Sequence, residues 1–314
     1  MSNPDSSKAD GRPKIAVVTG ASGGMGLATA RLLASEHGMK VYLLARSLER
    51  GTAALENIKR CSKRDDPELI LCDLGSMEQV RRAAEEIRSR CGHIDVLVNN
   101  AGVLTLKREE TEDGFERQLG VNHLGHFVLT RELLPLLAES PQGRIVIVSS
   151  AVHKIGRMNY NDPHMKRHYT AWGAYGRSKL ANLWFMKELN DRLKDSRVTV
   201  NAVHPGAVST QIGVNRSTGF GAFVHRMLKP FFLTPEQGVD TAVYLASSPE
   251  VAEMSGLYFY KRKPAKISAK ASSPELAHRF WEWSEEVTGY RDTPKPKSVE
   301  ATIPTGPLGI NSFR

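Results

Sequence analysis

The chain has 314 residues, 40% of them hydrophobic, with a formal net charge of +9 and a sequence pI near 9.5. That composition supplies a sizeable core, while three cysteines without metal-ligand spacing give neither a disulfide framework nor a metal site and fit a reducing compartment. No apolar run approaches the roughly 18 residues of a membrane-spanning helix, and residues 1–12 form a polar tail, so a cytoplasmic location is expected.

Lys14-Ile15-Ala16-Val17-Val18-Thr19 reads as a buried strand running into Gly20-Ala21-Ser22-Gly23-Gly24-Met25-Gly26. A helix follows, with Leu27, Ala30, Leu32, Leu33 and Ala34 as its apolar positions. Strand, glycine turn and helix together make a phosphate site: glycines admit the anion close to the backbone, and the free N–H groups at the helix start attract it. Gly20, Ser22, Gly24, Met25 and Gly26 are the candidate contacts, spaced Gly-x-x-x-Gly-x-Gly and not as the Gly-x-Gly-x-x-Gly fingerprint.

The second strand, Met39 to Ala45, ends in Arg46-Ser47, where an acid would be expected for a free ribose 2′-hydroxyl. A guanidinium and a hydroxyl suit a 2′-phosphate instead, which favours NADP(H) over NAD(H). The plainer reading is that Arg46 caps a strand end in solvent.

Further strands follow at Pro67 to Leu71, Ile94 to Val98, Gly143 to Val148, Val198 to Val203 and Leu257 to Tyr260. They predict an α/β fold: one Rossmann-type, doubly wound parallel sheet of about seven strands with helices on both faces, over residues 13–290. The carboxyl ends of such strands share one rim, where ligands bind. That rim collects Asp73, Leu74, Asn100, Ala101, Gly102, Pro205 and Gly206, with Val208 and Thr210 just beyond. Residues 207–233, with Phe220, Phe223, Met227, Leu228, Phe231 and Phe232, read as an apolar lid or as an ordinary amphipathic helix; residues 291–314 read as an extended Pro-rich tail.

Tyr175 and Lys179 are four apart in a helical stretch, so both face one side, about 5–6 Å apart at Cβ. A phenol with pKa about 10 is a poor acid or base near neutrality. A neighbouring ammonium can lower it, about 4 kcal/mol being needed for three units. On spacing alone a solvated helix face is the plainer reading, since Tyr-x-x-x-Lys recurs in helices by chance.

Taken together, Thr19-Gly20-x-x-x-Gly24-x-Gly26, Asp73-Leu74, Asn99-Asn100-Ala101-Gly102, Asn122, Ser150, Tyr175-x-x-x-Lys179 and Pro205-Gly206 with Thr210 resemble the short-chain dehydrogenase/reductase family of the classical type. Asn122-His123-Leu124-Gly125-His126-Phe127, Ser178-Lys179-Leu180-Ala181-Asn182 and Leu276-Ala277-His278-Arg279-Phe280-Trp281 resemble its retinol-dehydrogenase-like branch. The resemblance implies hydride transfer between a nicotinamide and a lipophilic carbonyl or alcohol, with Tyr175 as general acid or base. It implies that Lys179 lowers the phenol's pKa and binds the nicotinamide ribose, Ser150 holds the substrate oxygen, Asn122 holds a relay water, and Thr210 fixes the nicotinamide amide. Ser150 is preferred to Ser149 on the family pattern. Ser150 precedes Tyr175 by 25 residues, longer than is common in the family, and Ala151 to Trp172 is expected to form a wall of the substrate pocket.

Met25 replaces the usual isoleucine or leucine of the glycine turn at similar volume. A protochlorophyllide-reductase-like C=C reductase would need a catalytic cysteine, but Cys61, Cys72 and Cys91 all precede the catalytic region. A non-catalytic dinucleotide-binding regulator would be expected to have lost part of the Asn122, Ser150, Tyr175 and Lys179 set. The basic stretch 261–270 reads either as a peripheral contact with an anionic membrane or as a solvated loop. Nucleic acid is not expected, since no aromatic platform accompanies the charge. Association with further copies of the chain is left open.

Overall fold

Runs such as Ile15–Thr19 and Arg144–Val148 are buried at every position. Such runs satisfy their backbone groups only inside a sheet covered on both faces. The structure, a computed structural model, describes residues 12–206 and 235–290. The expected lid, Val208 and Thr210, and nearly all of both tails lie outside the described residues.

The strands are β1 (Ile15–Thr19), β2 (Lys40–Ala45), β3 (Glu68–Leu71), β4 (Val96–Asn99), β5 (Arg144–Val148), β6 (Thr199–Val203), β7 (Tyr258–Tyr260) and β8 (Lys263–Pro264). They join in the order β3-β2-β1-β4-β5-β6-β7-β8. All neighbours are parallel except β7 and β8. The expected count of about seven misses β8, a two-residue return strand too short for any sequence periodicity to show. Lys261 and Arg262 between β7 and β8 have φ of 50° and 58°. Arg262 is spent on Asp240 and Lys270 on the Gly156 carbonyl, so part of the basic stretch serves the fold.

Chain order reverses between β1 and β4, the crevice where open α/β sheets bind ligands. Alternate residues of β1 serve different cores: Ile15 and Val17 face one cluster, Ala16 and Val18 the other. The second core is built with α1 (Gly24–Ser35), α2 (Leu48–Ser62) and α7 (Pro235–Ser247). The first is built with α3 (Met77–Arg90), α5 (Gly125–Ala138), α6 (Ala171–Arg192) and α9 (Pro274–Thr288). Between α3 and α5 the chain makes a short helix α4 (Arg117–Leu119) and a π-helical turn, Gly120–Leu124. A four-residue helix α8 (Ala269–Ser272) precedes α9. Among the described residues no helix is long and apolar enough to cross a membrane.

Helix α9 closes the first core with aromatic rings. Trp281 meets Phe127 at 4.9 Å and Phe185 at 5.8 Å between centroids, and Phe280 meets His123 at 4.9 Å. His123 and His126 are therefore core residues. Burial holds His123 at a pKa of about 3 and His126 at about 4, so both are neutral near pH 7.

Their folded pKa values lie below the ordinary 6.5, so the unfolded chain binds more protons and stability falls as pH drops from 6.5 toward 4. Each is expected to cost about 2 kcal/mol at pH 5. Urea unfolding at pH 7 and pH 5 should show this loss reduced by about that amount in His123→Gln; an unchanged pH dependence would show that His123 does not carry it.

Candidate active site

The glycine turn is built by backbone needs that only glycine meets. Gly20 and Gly24 have φ of 66° and 54°. A Cβ on Gly26 would fall 2.3 Å from the Gly20 carbonyl oxygen. Helix α1 starts without a side-chain cap, leaving its first N–H groups free for an anion.

A cavity of about 680 Å³ opens over this turn. Of the expected cofactor residues it gathers Gly20, Ser22, Gly24, Met25, Gly26, Arg46, Asp73, Leu74, Asn100, Ala101 and Gly102. Ser47 stands beside it as the N-cap of α2, its Oγ accepting the Arg50 N–H at 3.3 Å. Pro205 and Gly206 follow β6 without lining the cavity, Gly206 donating its N–H to His204 Nδ1 at 3.3 Å.

Arg50 also lines the cavity, its Nη2 lying 3.0 Å from where a Gly23 Cβ would stand. The sequence reading missed it. The signal was the spacing Arg46-x-x-x-Arg50 across the start of α2, which puts two guanidinium groups at one cavity end. Neither has a carboxylate partner among the described residues, whereas Arg64, Arg88 and Arg90 do.

The strand ends are tied together beneath the cavity. Thr19 Oγ1 accepts the N–H groups of Asn100 and Ala101, each at 2.9 Å, which occupies both its lone pairs. The Asn122 carbonyl, 3.0 Å from His126 Nδ1, can only accept, so the neutral imidazole carries its proton on Nδ1 and its Nε2 accepts the Thr19 hydroxyl at 2.8 Å, nearer than the Val98 carbonyl at 3.3 Å. Asn122 sits in the π-helical turn, where the Gly125 N–H reaches back to the Gly120 carbonyl. Its side chain pairs with the backbone of Val103, Oδ1 accepting N–H at 2.7 Å and Nδ2 donating to the carbonyl at 3.0 Å, and also donates to Ser178 Oγ at 2.9 Å.

Tyr175 and Lys179 lie on α6, capped by Thr170 through the Gly173 N–H at 3.2 Å. The Lys179 ammonium is 5.5 Å from the Tyr175 ring centroid and donates to the Val148 carbonyl at 3.0 Å. A Cβ on Gly102 would be 3.6 Å from both the Lys179 ammonium and Asn122 Oδ1, so this group stands next to a residue of the cavity wall, although none of Asn122, Ser150, Tyr175 and Lys179 itself lines the cavity. Burial pushes the Tyr175 phenol up to about 12 and the Lys179 ammonium down to about 8. The expected lowering of the phenol's pKa is thus absent: desolvation outweighs an ammonium that points at a carbonyl.

The two serines after β5 differ in what their hydroxyls do. Ser149 is buried and donates to the Lys179 carbonyl at 2.8 Å. Ser150 accepts the Val152 N–H at 3.3 Å as cap of the 3₁₀ turn Ala151–Ile155, which leaves its proton available. The exposed Trp172 meets the Tyr175 ring edge-on at 6.2 Å.

Residues 14–219 match the family described as short chain dehydrogenase. The chain belongs to the short-chain dehydrogenase family. Within it, the dehydrogenase falls in the retinol-dehydrogenase-like branch. It is 38% identical over 276 residues to retinol dehydrogenase 12 of Mus musculus, covering 88% of this chain and 86% of that one. It is 39% identical over 297 residues to retinol dehydrogenase 14 of Homo sapiens, with the same coverage. Among solved structures, an uncharacterised protein from Mycobacterium paratuberculosis superposes with a TM-score of 0.71 at 32% identity, over 88% of this chain and 93% of that one. A short chain dehydrogenase from Shigella flexneri 2a complexed with NADP gives 0.62 at 27%, over 78% and 95%.

Lys179 is buried as a cation with no carboxylate partner among the described residues, and its folded pKa lies below the ordinary 10.5. It therefore costs stability at every pH below about 8, a cost released as pH rises toward 10.5. Lys179→Met is expected to be more stable than the wild-type dehydrogenase at pH 7, by about 1–3 kcal/mol in urea unfolding, with the gap narrowing toward pH 10. A less stable variant at pH 7 would contradict the balance.

Proposed function

We propose that the dehydrogenase transfers hydride between NADP(H) and a lipophilic carbonyl or alcohol, with Tyr175 as the proton donor in reduction and the acceptor in oxidation. The observation that carries this is that Gly102, in the wall of the glycine-turn cavity, has the Lys179 ammonium and the Asn122 side chain as its neighbours. Bound there, a nicotinamide dinucleotide would supply or accept the hydride. A helix start without a side-chain cap, a glycine cradle and two arginines with no carboxylate partner among the described residues suit its phosphates. Arg46 and Arg50 would hold a 2′-phosphate in a charge-assisted grip that a free 2′-hydroxyl cannot use.

At neutral pH the buried phenol keeps its proton, as a general acid must. Ser150, with its hydroxyl proton available, would hold the substrate oxygen while charge develops on it. Lys179 is the cation recorded against the Tyr175 ring, and its charge below about pH 8 would stabilise the phenolate left after proton transfer. The Asn122 side chain spends both Nδ2 protons on Val103 and Ser178 and one Oδ1 lone pair on Val103, so a relay water would be held as a donor to Oδ1 or to the backbone carbonyl beside His126. A lipophilic substrate is supported by the exposed Trp172 beside Tyr175, by Ile155 packed on Gly176, and by the names of the relatives.

A panel of apolar carbonyls and alcohols with each nicotinamide cofactor, followed at the nicotinamide absorbance, tests the proposal. Tyr175→Phe should lose about 10²–10⁴-fold in kcat with nucleotide affinity kept. Ser150→Ala should lose turnover, and Ser149→Ala much less of it. Arg46→Ala/Arg50→Ala should weaken NADPH at least tenfold while leaving NADH nearly unchanged. Reduction should slow above about pH 8 as Lys179 loses its charge. A wild-type preference for NADH, or full turnover by Tyr175→Phe, would overturn the proposal.

A further inference from the structure

Behind the turn that carries Tyr175 and Lys179 lies an ion pair closed off from solvent. Arg177 is two positions from each of them, so a helix turns its side chain about 160–200° away from theirs. It runs into the interior, 1% exposed, where Nη2 donates to Oε2 of the fully buried Glu116 at 2.8 Å. The same carboxylate accepts the N–H groups of Gln118 and Leu119 at 2.9 and 3.0 Å, capping α4 where it enters the π-helical turn with Asn122. The other arm of the guanidinium, Nη1, donates to the Pro163 carbonyl in the loop before α6.

Such a pair is a poor source of stability, because well-packed apolar side chains do as well and avoid the desolvation of two charges. Arg177 Nε even lacks an acceptor. What apolar residues cannot reproduce is direction: a planar fork fixes two partners at set angles.

We propose that Glu116 and Arg177 are positioning residues. They fix the rotation of the Tyr175–Lys179 turn against the Asn122 turn, and they pin the loop at Pro163. The proposal rests on the reading of Tyr175 as the reacting acid.

The test compares the wild-type protein with Glu116→Gln, Arg177→Met, the double variant of both, Arg177→Lys, and Tyr175→Phe. Each is measured by thermal unfolding, NADPH titration, and kcat and KM for the carbonyl the wild-type protein reduces fastest. Limited trypsin cleavage after Arg157, Lys166 and Arg167 reads the loop without any turnover. Each single neutral variant strands a buried charge and should melt early; the double variant should regain most of the melting temperature. With NADPH affinity kept within twofold, it should still lose at least tenfold in kcat, raise KM and be cut faster in the loop. A double variant with wild-type kcat, KM and cleavage rate would overturn the proposal and leave the pair a structural element only. If the double variant does not fold, Arg177→Lys decides: it keeps the charge but not the fork, so kcat should fall and cleavage quicken, and wild-type values for both overturn the proposal. Full turnover by Tyr175→Phe would sink the functional reading instead, and the cleavage result would still judge the loop contact.

Discussion

The Lys179 ammonium is held in a buried position with no carboxylate among the described residues to balance it, and much of the site is arranged around that constraint. Its recorded hydrogen-bond acceptor is the Val148 carbonyl, which also takes the Asn182 amide at 3.1 Å. Desolvation disfavours the charge and draws the pKa toward neutrality. The Ser149 hydroxyl ties the Lys179 carbonyl to the end of β5, so the strand end that accepts the ammonium is also the one that fixes its backbone. A cation kept this way can respond strongly to any negative charge that develops nearby, because no anion among the described residues already compensates it.

The polar groups at the carboxyl ends of β1 and β4 are joined by hydrogen bonds to the backbone of Asn122. Thr19, Asn100, Ala101, His126 and Asn122 link β1, β4 and the π-helical turn in a chain with assigned donors and acceptors. Buried polar groups specify geometry well only when each has a partner. The π-helical turn fits this logic, since a regular helix would aim the Asn122 side chain elsewhere and leave the Val103 backbone without its partner.

Much of the fold was legible because its signals are local. Lys14 to Thr19 and Gly143 to Val148 are apolar runs bounded by glycine, and a sheet buried on both faces requires such runs. The glycine turn was legible for the same reason, and the cavity gathers most of the residues named for it. Arg50 escaped because its role depends on where α2 starts relative to the turn. Glu116 and Arg177, 61 residues apart, escaped because nothing in either neighbourhood announces the other. The phenol's pKa was misjudged for a related reason: sequence gives the Tyr175–Lys179 spacing but not the Val148 carbonyl that draws the ammonium aside. Val208 and Thr210 lie outside the described residues.

Helix α9 lies about 150 residues beyond Asn122 in the chain, yet its Phe280, Trp281 and Ser284 close the core around His123, with Ser284 Oγ 3.2 Å from His123 Nε2. His123 is the immediate neighbour of Asn122. During synthesis the first sheet strands and the glycine turn emerge long before α9, whereas the floor beneath Asn122 stays open until residue 288 has left the ribosome. The nucleotide cradle and the proton-handling half of the molecule therefore mature at different times, the second only after α9 has been made.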